Sequence, residues 1–298
     1  MKNNNFDLMK KIKTTLISYT DTLPLTCTRT GTCCHGNQIW INPWEVRQLA
    51  ETKNITVPEF CDNYTDFGGI RLKFEGHTNV TGKKSCLLYD PQIGCSVHTG
   101  RPLACRMYPL GRQIQHGETQ YMYQGDEFPC FKECPEVKTL PHLSVGEYLK
   151  QQETTKHELA QSGYLEVVQN LADNAFALLL DTPLASSDDR ITLKSWRKLG
   201  MENPETLHRK IDNFWMDALM NPPIETNDDS IYFVEKHNEF LQQKIQDVFG
   251  GLNTIHEIRE ASILMMTMAL YLAIAIGANI IELSEHWIII AKDNGALE

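Results

Sequence analysis

All nine cysteines of this 298-residue chain fall between Cys27 and Cys134. They run C-x5-C-C, C-x8-C-x9-C and C-x3-C, with Cys61 standing apart from these groups. A chain of this length with 42% hydrophobic residues buries a real core without cross-links, so the thiols are not needed as disulfide staples. Their crowding predicts instead that they hold something, and it divides the chain. Residues 1–141 read as a cysteine-rich metal-binding module, and 142–298 as a helical region packed against it.

Residues 1–25 carry four lysines and then an apolar stretch broken by Ser18, Thr20, Asp21 and Thr22, which is not the core of a secretory signal. The expected compartment is the reducing cytoplasm, where clustered cysteines serve metals or chemistry more often than cross-links. The net charge of -10 is uneven: residues 1–150 hold 17 Lys+Arg against 15 Asp+Glu, and 151–298 hold 11 against 23. An acidic half without clustered cations argues against general nucleic-acid binding. The expected partner is a protein or a small molecule that charge alone does not name.

Between 25 and 141 the apolar runs are short, and Gly, Pro, Thr and Asn are frequent. This predicts loops and brief strands, with strand candidates at 39–41, 70–74 and 119–123. Asn42 followed by Pro43 predicts a helix start, running to Glu51. Residues 1–20 have the spacing of a short amphipathic helix. Beyond 141, Ser144 and Glu147 form a capping-box pattern opening a helix over 144–158, and further helices are expected over 164–180, 205–220 and 229–248, with a turn-rich break at 182–189.

The uncharged stretch 261–281 is long enough to cross a membrane. Its Ser262, Thr267, Tyr271, Gly277 and Asn279, and the lack of a flanking cationic cluster, favour a buried central helix or a helix at a homodimer interface. Residues 287–291 follow as a further buried segment, helical or extended. The expected class is mainly α, with small irregular and β elements in a loop-rich cysteine module docked on a bundle-like helical half.

A thiolate is a soft anionic ligand suited to zinc and to iron–sulfur clusters, and four complete one site of either kind. Cys27, Cys33, Cys34, Cys86, Cys95, Cys105, Cys130 and Cys134 are the expected metal ligands, enough for two four-thiolate sites. Cys61 reads as a core residue. Adjacent cysteines point in different directions in most backbone conformations, which leaves room for Cys33 and Cys34 to serve different metals. Arg101 and Arg106 flank Cys105 and suit a cofactor-binding role, offsetting the charge of a thiolate cluster or holding an anionic ligand, with surface ion pairs as the alternative. His35 and His98 are either ligands or ordinary hydrogen-bonding histidines.

The ordered blocks Cys27-Thr28-Arg29-Thr30-Gly31-Thr32-Cys33-Cys34, Cys86-Leu87-Leu88-Tyr89 with Gly94-Cys95-Ser96-Val97-His98, and Arg101-Pro102-x-x-Cys105-Arg106-x-Tyr108-Pro109 resemble the YkgJ-type cysteine-cluster family. That family is described as chelating zinc or iron, and the flagellin lysine methylases are similar to it. The family's opening reads C-x2-C-G-x-C-C, and Thr30 stands here where its second cysteine falls. The resemblance covers residues 27–109 and implies a metal centre.

Two functional classes follow. One is an iron–sulfur protein, with one or two clusters, acting in redox or modification chemistry; the other is a zinc protein whose thiols staple an interaction module without catalysis. Metal storage or delivery is a third use of such a site. No Ser/His/Asp order, H-E-x-x-H, P-loop or G-x-G-x-x-G is readable, so any enzymatic activity would run through the metal.

Overall fold

The computed structural model describes residues 15–26, 31–115, 118–123, 135–225 and 229–298. The chain divides into two compact units that interleave in sequence. The first comprises residues 1–37, 74–98 and 102–155, and the second 38–73, 99–101 and 156–298.

The main sheet of the first unit has three antiparallel strands in the order Thr15–Ile17, Glu118–Tyr123, Leu110–Gln115. Residues 15–17 had the spacing of a helix, but they pair with Tyr123, Met122 and Tyr121, and the β-branched Thr15 and Ile17 suit that pleated surface. The rest of the expected helix, 1–14, lies outside the described residues. Leu25, Leu103, Met107, Tyr121, Val145 and Tyr148 form the core beneath this sheet.

Helix Val145–Gln151 starts at the expected capping box: Glu147 N–H donates to Ser144 Oγ at 3.2 Å, and Ser144 N–H donates to Glu147 Oε2 at 3.0 Å. It does not reach 158. Glu153 takes a φ of 53°, outside the right-handed helical region, and a new helix, Thr155–Leu180, begins after that bend.

In the second unit Asn42 caps Pro43–Lys53 as expected, its Oδ1 accepting the Glu45 N–H at 3.0 Å while Glu45 Oε2 accepts the Asn42 N–H. Ile41 N–H donates to Ile70 O and Leu72 N–H to Ile39 O, so the expected strands at 39–41 and 70–74 meet, but only as an isolated bridge between Trp40 and Arg71; the one strand there is Arg71–Leu72, paired with Thr65–Asp66. The stretch 205–220 is two helices rather than one, Pro204–Lys210 and Asn213–Met220, because Asp212 Oδ1 accepts the Trp215 N–H and starts a second helix. Thr192–Gly200, which the sequence reading passed over, buries Leu193, Trp196 and Leu199.

Every residue from Met265 to Ala275 of the helix Ile255–Ala275 is buried within this unit. The helix is long and apolar enough to cross a membrane by length and composition. The uncharged stretch is nonetheless not one helix. Gly277 turns at a φ of 80°, and Asn279 caps Ile280–Asp293, which buries Trp287 and Ile288. The protein is mainly α with small β elements.

Candidate metal centre

Gly31, at a φ of 75°, opens the tight 3-10 turn Thr32–Cys34. Cys34 N–H donates to Gly31 O at 2.8 Å, and Asn37 Nδ2 donates to Cys33 O at 2.6 Å. The turn brings the Cys33 and Cys34 sulfurs to 4.0 Å. Metal–sulfur bonds of about 2.3 Å in a tetrahedron put neighbouring sulfurs ~3.8 Å apart, so these two thiols are within reach of one ion. Adjacent side chains diverge in an extended chain, but not in this turn.

The turn is tied to the next cysteine block through backbone bonds. Cys86 N–H donates to Cys34 O at 2.8 Å, Gly36 N–H donates to Lys84 O at 2.9 Å, and His35 faces Ser85 in an isolated antiparallel bridge. Tyr89 N–H then donates to Cys86 O at 3.0 Å, and the strand Tyr89–Asp90 pairs with Gly94–Cys95, setting Tyr89 opposite Cys95.

Tyr89 packs edge-on against His35, with ring centroids 5.0 Å apart. A Cβ on Gly31 would lie 2.4 Å from Tyr89 Cε2, so glycine is required there by space as well as by its backbone angle. Cys33, Cys34, Cys86 and Cys95 are thereby joined in one hydrogen-bonded framework.

Cys86 is buried, and Cys33, Cys34 and Cys95 are half-buried. Burial pushes the Cys86 thiol up to about 11, with the Leu88 backbone N–H opposing the rise and the Cys95 charge adding to it. Such a thiol stays protonated at neutral pH until a cation displaces its proton. Ser85 Oγ, one residue earlier, is fully buried and has no hydrogen-bond partner among the described residues. Half-buried and buried thiols on one framework are soft donors and fit a thiophilic metal; the Ser85 hydroxyl is turned towards Gly76.

Among the described residues no three His, Cys, Asp or Glu side chains converge on one point. The Cys33 and Cys34 sulfurs approach to 4.0 Å, while Cys95 acts on the Cys86 thiol through its charge. Cys27, Cys130 and Cys134, also expected as ligands, lie outside the described residues.

Cys105 is half-buried in the short helix Leu103–Met107, its N–H donating to Pro102 O at 3.0 Å. Arg106, expected near the cofactor, is 4% exposed; its Nη1 donates to Gln152 O at 2.8 Å and lies 3.7 Å from Glu153 Oε2. Arg101 is half-buried and falls in the second unit, immediately before Pro102. His98 starts the 3-10 turn His98–Gly100.

Cys61 sits in the second unit on helix Val57–Tyr64, half-buried, its thiol pushed up to about 12 by burial and then by the Asp62 charge. No disulfide joins the described cysteines. Ser85 was missed by the sequence reading, since a lone serine before a cysteine carries no local signal. Tyr89 lies within a recognised block, but its clamp on Gly31 and His35 depends on contacts between distant segments.

Residues 26–127 match the CxxCxxCC family, described as a proposed zinc- or iron-chelating domain. The matched CxxCxxCC segment spans about one third of the chain, takes in Cys27 through Cys105, and ends before Cys130 and Cys134. It carries the cysteine-cluster signature and points to zinc or iron without separating the two. No curated protein and no solved structure gives a significant match.

Proposed function

We propose that the CxxCxxCC segment holds an iron–sulfur centre through Cys33, Cys34, Cys86 and Cys95, for use in redox or modification chemistry. The carrying observation is the 4.0 Å approach of the Cys33 and Cys34 sulfurs on a turn whose Cys34 carbonyl takes the Cys86 N–H. A centre of two irons needs two thiolates per iron; the Cys33–Cys34 pair would serve one iron, and Cys86 and Cys95, which interact through charge, the other. A cubane takes one thiolate per iron, which the close Cys33–Cys34 pair suits less well.

When bound, such a centre supplies electron transfer at a potential set by the groups around its sulfurs. This chain's own residues hold it. The Cys34–Cys86 backbone bond keeps the two cysteine blocks in register. Cys27, Cys105, Cys130 and Cys134 are the ligands left for a second site.

The same 4.0 Å approach suits a single zinc, which favours a structural zinc module as the second reading. Anaerobic purification with iron, zinc and acid-labile sulfide analysis and a visible spectrum separates the two. Iron with equimolar sulfide and a coloured protein supports the iron–sulfur reading. A colourless protein with stoichiometric zinc and no sulfide overturns it in favour of zinc.

A further inference from the structure

A second group of soft donors belongs to the second unit. After helix Val57–Tyr64, which carries Cys61, the chain turns through Phe67, Gly68 and Gly69 at φ of 56°, 75° and 127°. Tyr271 Oη anchors this turn by donating to Phe67 O at 2.6 Å. The two glycines let side chains from neighbouring helices close directly on the backbone.

A Cβ on Gly68 would lie 2.6 Å from His208 Nε2 and 2.7 Å from Met216 Cε; one on Gly69 would lie 2.7 Å from Met220 Cε and 3.1 Å from Cys61 Sγ. Consecutive Cα atoms are about 3.8 Å apart, so an imidazole, a thiol and the methyl ends of two thioether side chains all lie against two neighbouring residues. All four line one solvent-open cleft of about 490 Å³. Asp62 and Asp217 also line it, and no lysine or arginine does.

These observations together select a cation, and a soft one. Thiol and thioether donors favour monovalent copper, whereas zinc sites draw on thiolate, imidazole and carboxylate. Burial, and then the Arg209 charge, hold His208 below the ordinary histidine range, so its imidazole is neutral and able to ligate near pH 7. Cys61, with its thiol raised to about 12, is a poor nucleophile there. It becomes a ligand when an incoming cation displaces its proton to solvent.

We propose that Cys61, His208, Met216 and Met220 form a binding site for a soft monovalent cation of the copper(I) class.

The test is titration of the full-length, anaerobically purified protein with silver(I), a redox-silent stand-in, followed by methyl NMR of methionines labelled with carbon-13. Met216→Leu and Met220→Leu assign the two signals. The expected result is that both methyls move together along one shared curve and saturate, after whatever equivalents the thiols of the first unit take up. Cys61→Ser and His208→Gln are each expected to weaken that response at least about tenfold. Methyls that stay fixed throughout the titration, or that respond equally in Cys61→Ser and in the unaltered protein, overturn the site. Because the readout is local to the cleft, it stands or falls independently of the iron–sulfur reading.

Discussion

The Cys86 backbone N–H donates to the Cys34 carbonyl at 2.8 Å, which ties two cysteine blocks separated by about fifty residues into one framework. In the proposed centre the thiols work as a set, and the expected consequences follow from which bond is broken.

Cys33 and Cys34 share an ion in this account because their sulfurs lie 4.0 Å apart. Cys33→Ser and Cys34→Ser are each expected to lose the same metal to the same extent, measured by elemental analysis of the purified variants. Full metal content in one variant with loss in the other would show that the two thiols serve different ions.

Gly31→Ala combines a left-handed backbone angle with a Cβ pressed against the Tyr89 ring. The expected loss of stability is about 1–3 kcal/mol, with a parallel loss of metal. Denaturant unfolding measures the first and elemental analysis the second; an unchanged midpoint would contradict the Tyr89 clamp.

The Ser85 hydroxyl is buried without a partner among the described residues. A buried hydroxyl without a partner costs about 1–3 kcal/mol, so Ser85→Ala is expected to be neutral or stabilising, read as the denaturant unfolding midpoint. A midpoint lowered by the change would contradict the orphaned hydroxyl.

His237 predicts a pH dependence away from the metal. It is fully buried, its Nδ1 2.8 Å from Tyr164 Oη and its Nε2 3.0 Å from Ala218 O. Burial lowers it to about 4, the Ala218 carbonyl opposing and Arg47 adding to the shift. The unfolded chain, with histidine near 6.5, therefore binds this proton more readily. Stability is full above pH ~6.5 and falls by about 3 kcal/mol as pH drops towards ~4. Denaturant midpoints at pH 7 and 4.5 check this, and a slope unchanged in His237→Gln would refute it.

Local signals were legible in the sequence, and pairings between distant segments were not. Asn42 with Glu45, and Ser144 with Glu147, mark helix starts because each motif satisfies its own backbone within four residues. Asp212 is the same kind of signal, but Leu207, Ile211, Trp215 and Leu219 keep an unbroken spacing of four through it and disguise two helices as one. An uncharged run likewise hid the break at Gly277 and Asn279.

Thr15–Ile17 pairs with strand residues about a hundred positions away, a partner that its β-branched Thr15 and Ile17 could not name. The candidate site divides along the same line. Thiol chemistry could be read from spacing, while the meeting of Cys33 with Cys34, the tie to Cys86 and the orphan hydroxyl of Ser85 emerge only once the chain is folded.

The most direct test of the central claim is the ratio of iron to acid-labile sulfide in anaerobically purified protein, compared with a variant lacking both Cys86 and Cys95 thiols through Cys86→Ser and Cys95→Ser. The account predicts equal iron and sulfide in the unaltered chain and loss of both in the double variant. Zinc alone in the unaltered chain, or iron and sulfide undiminished in the double variant, would contradict it.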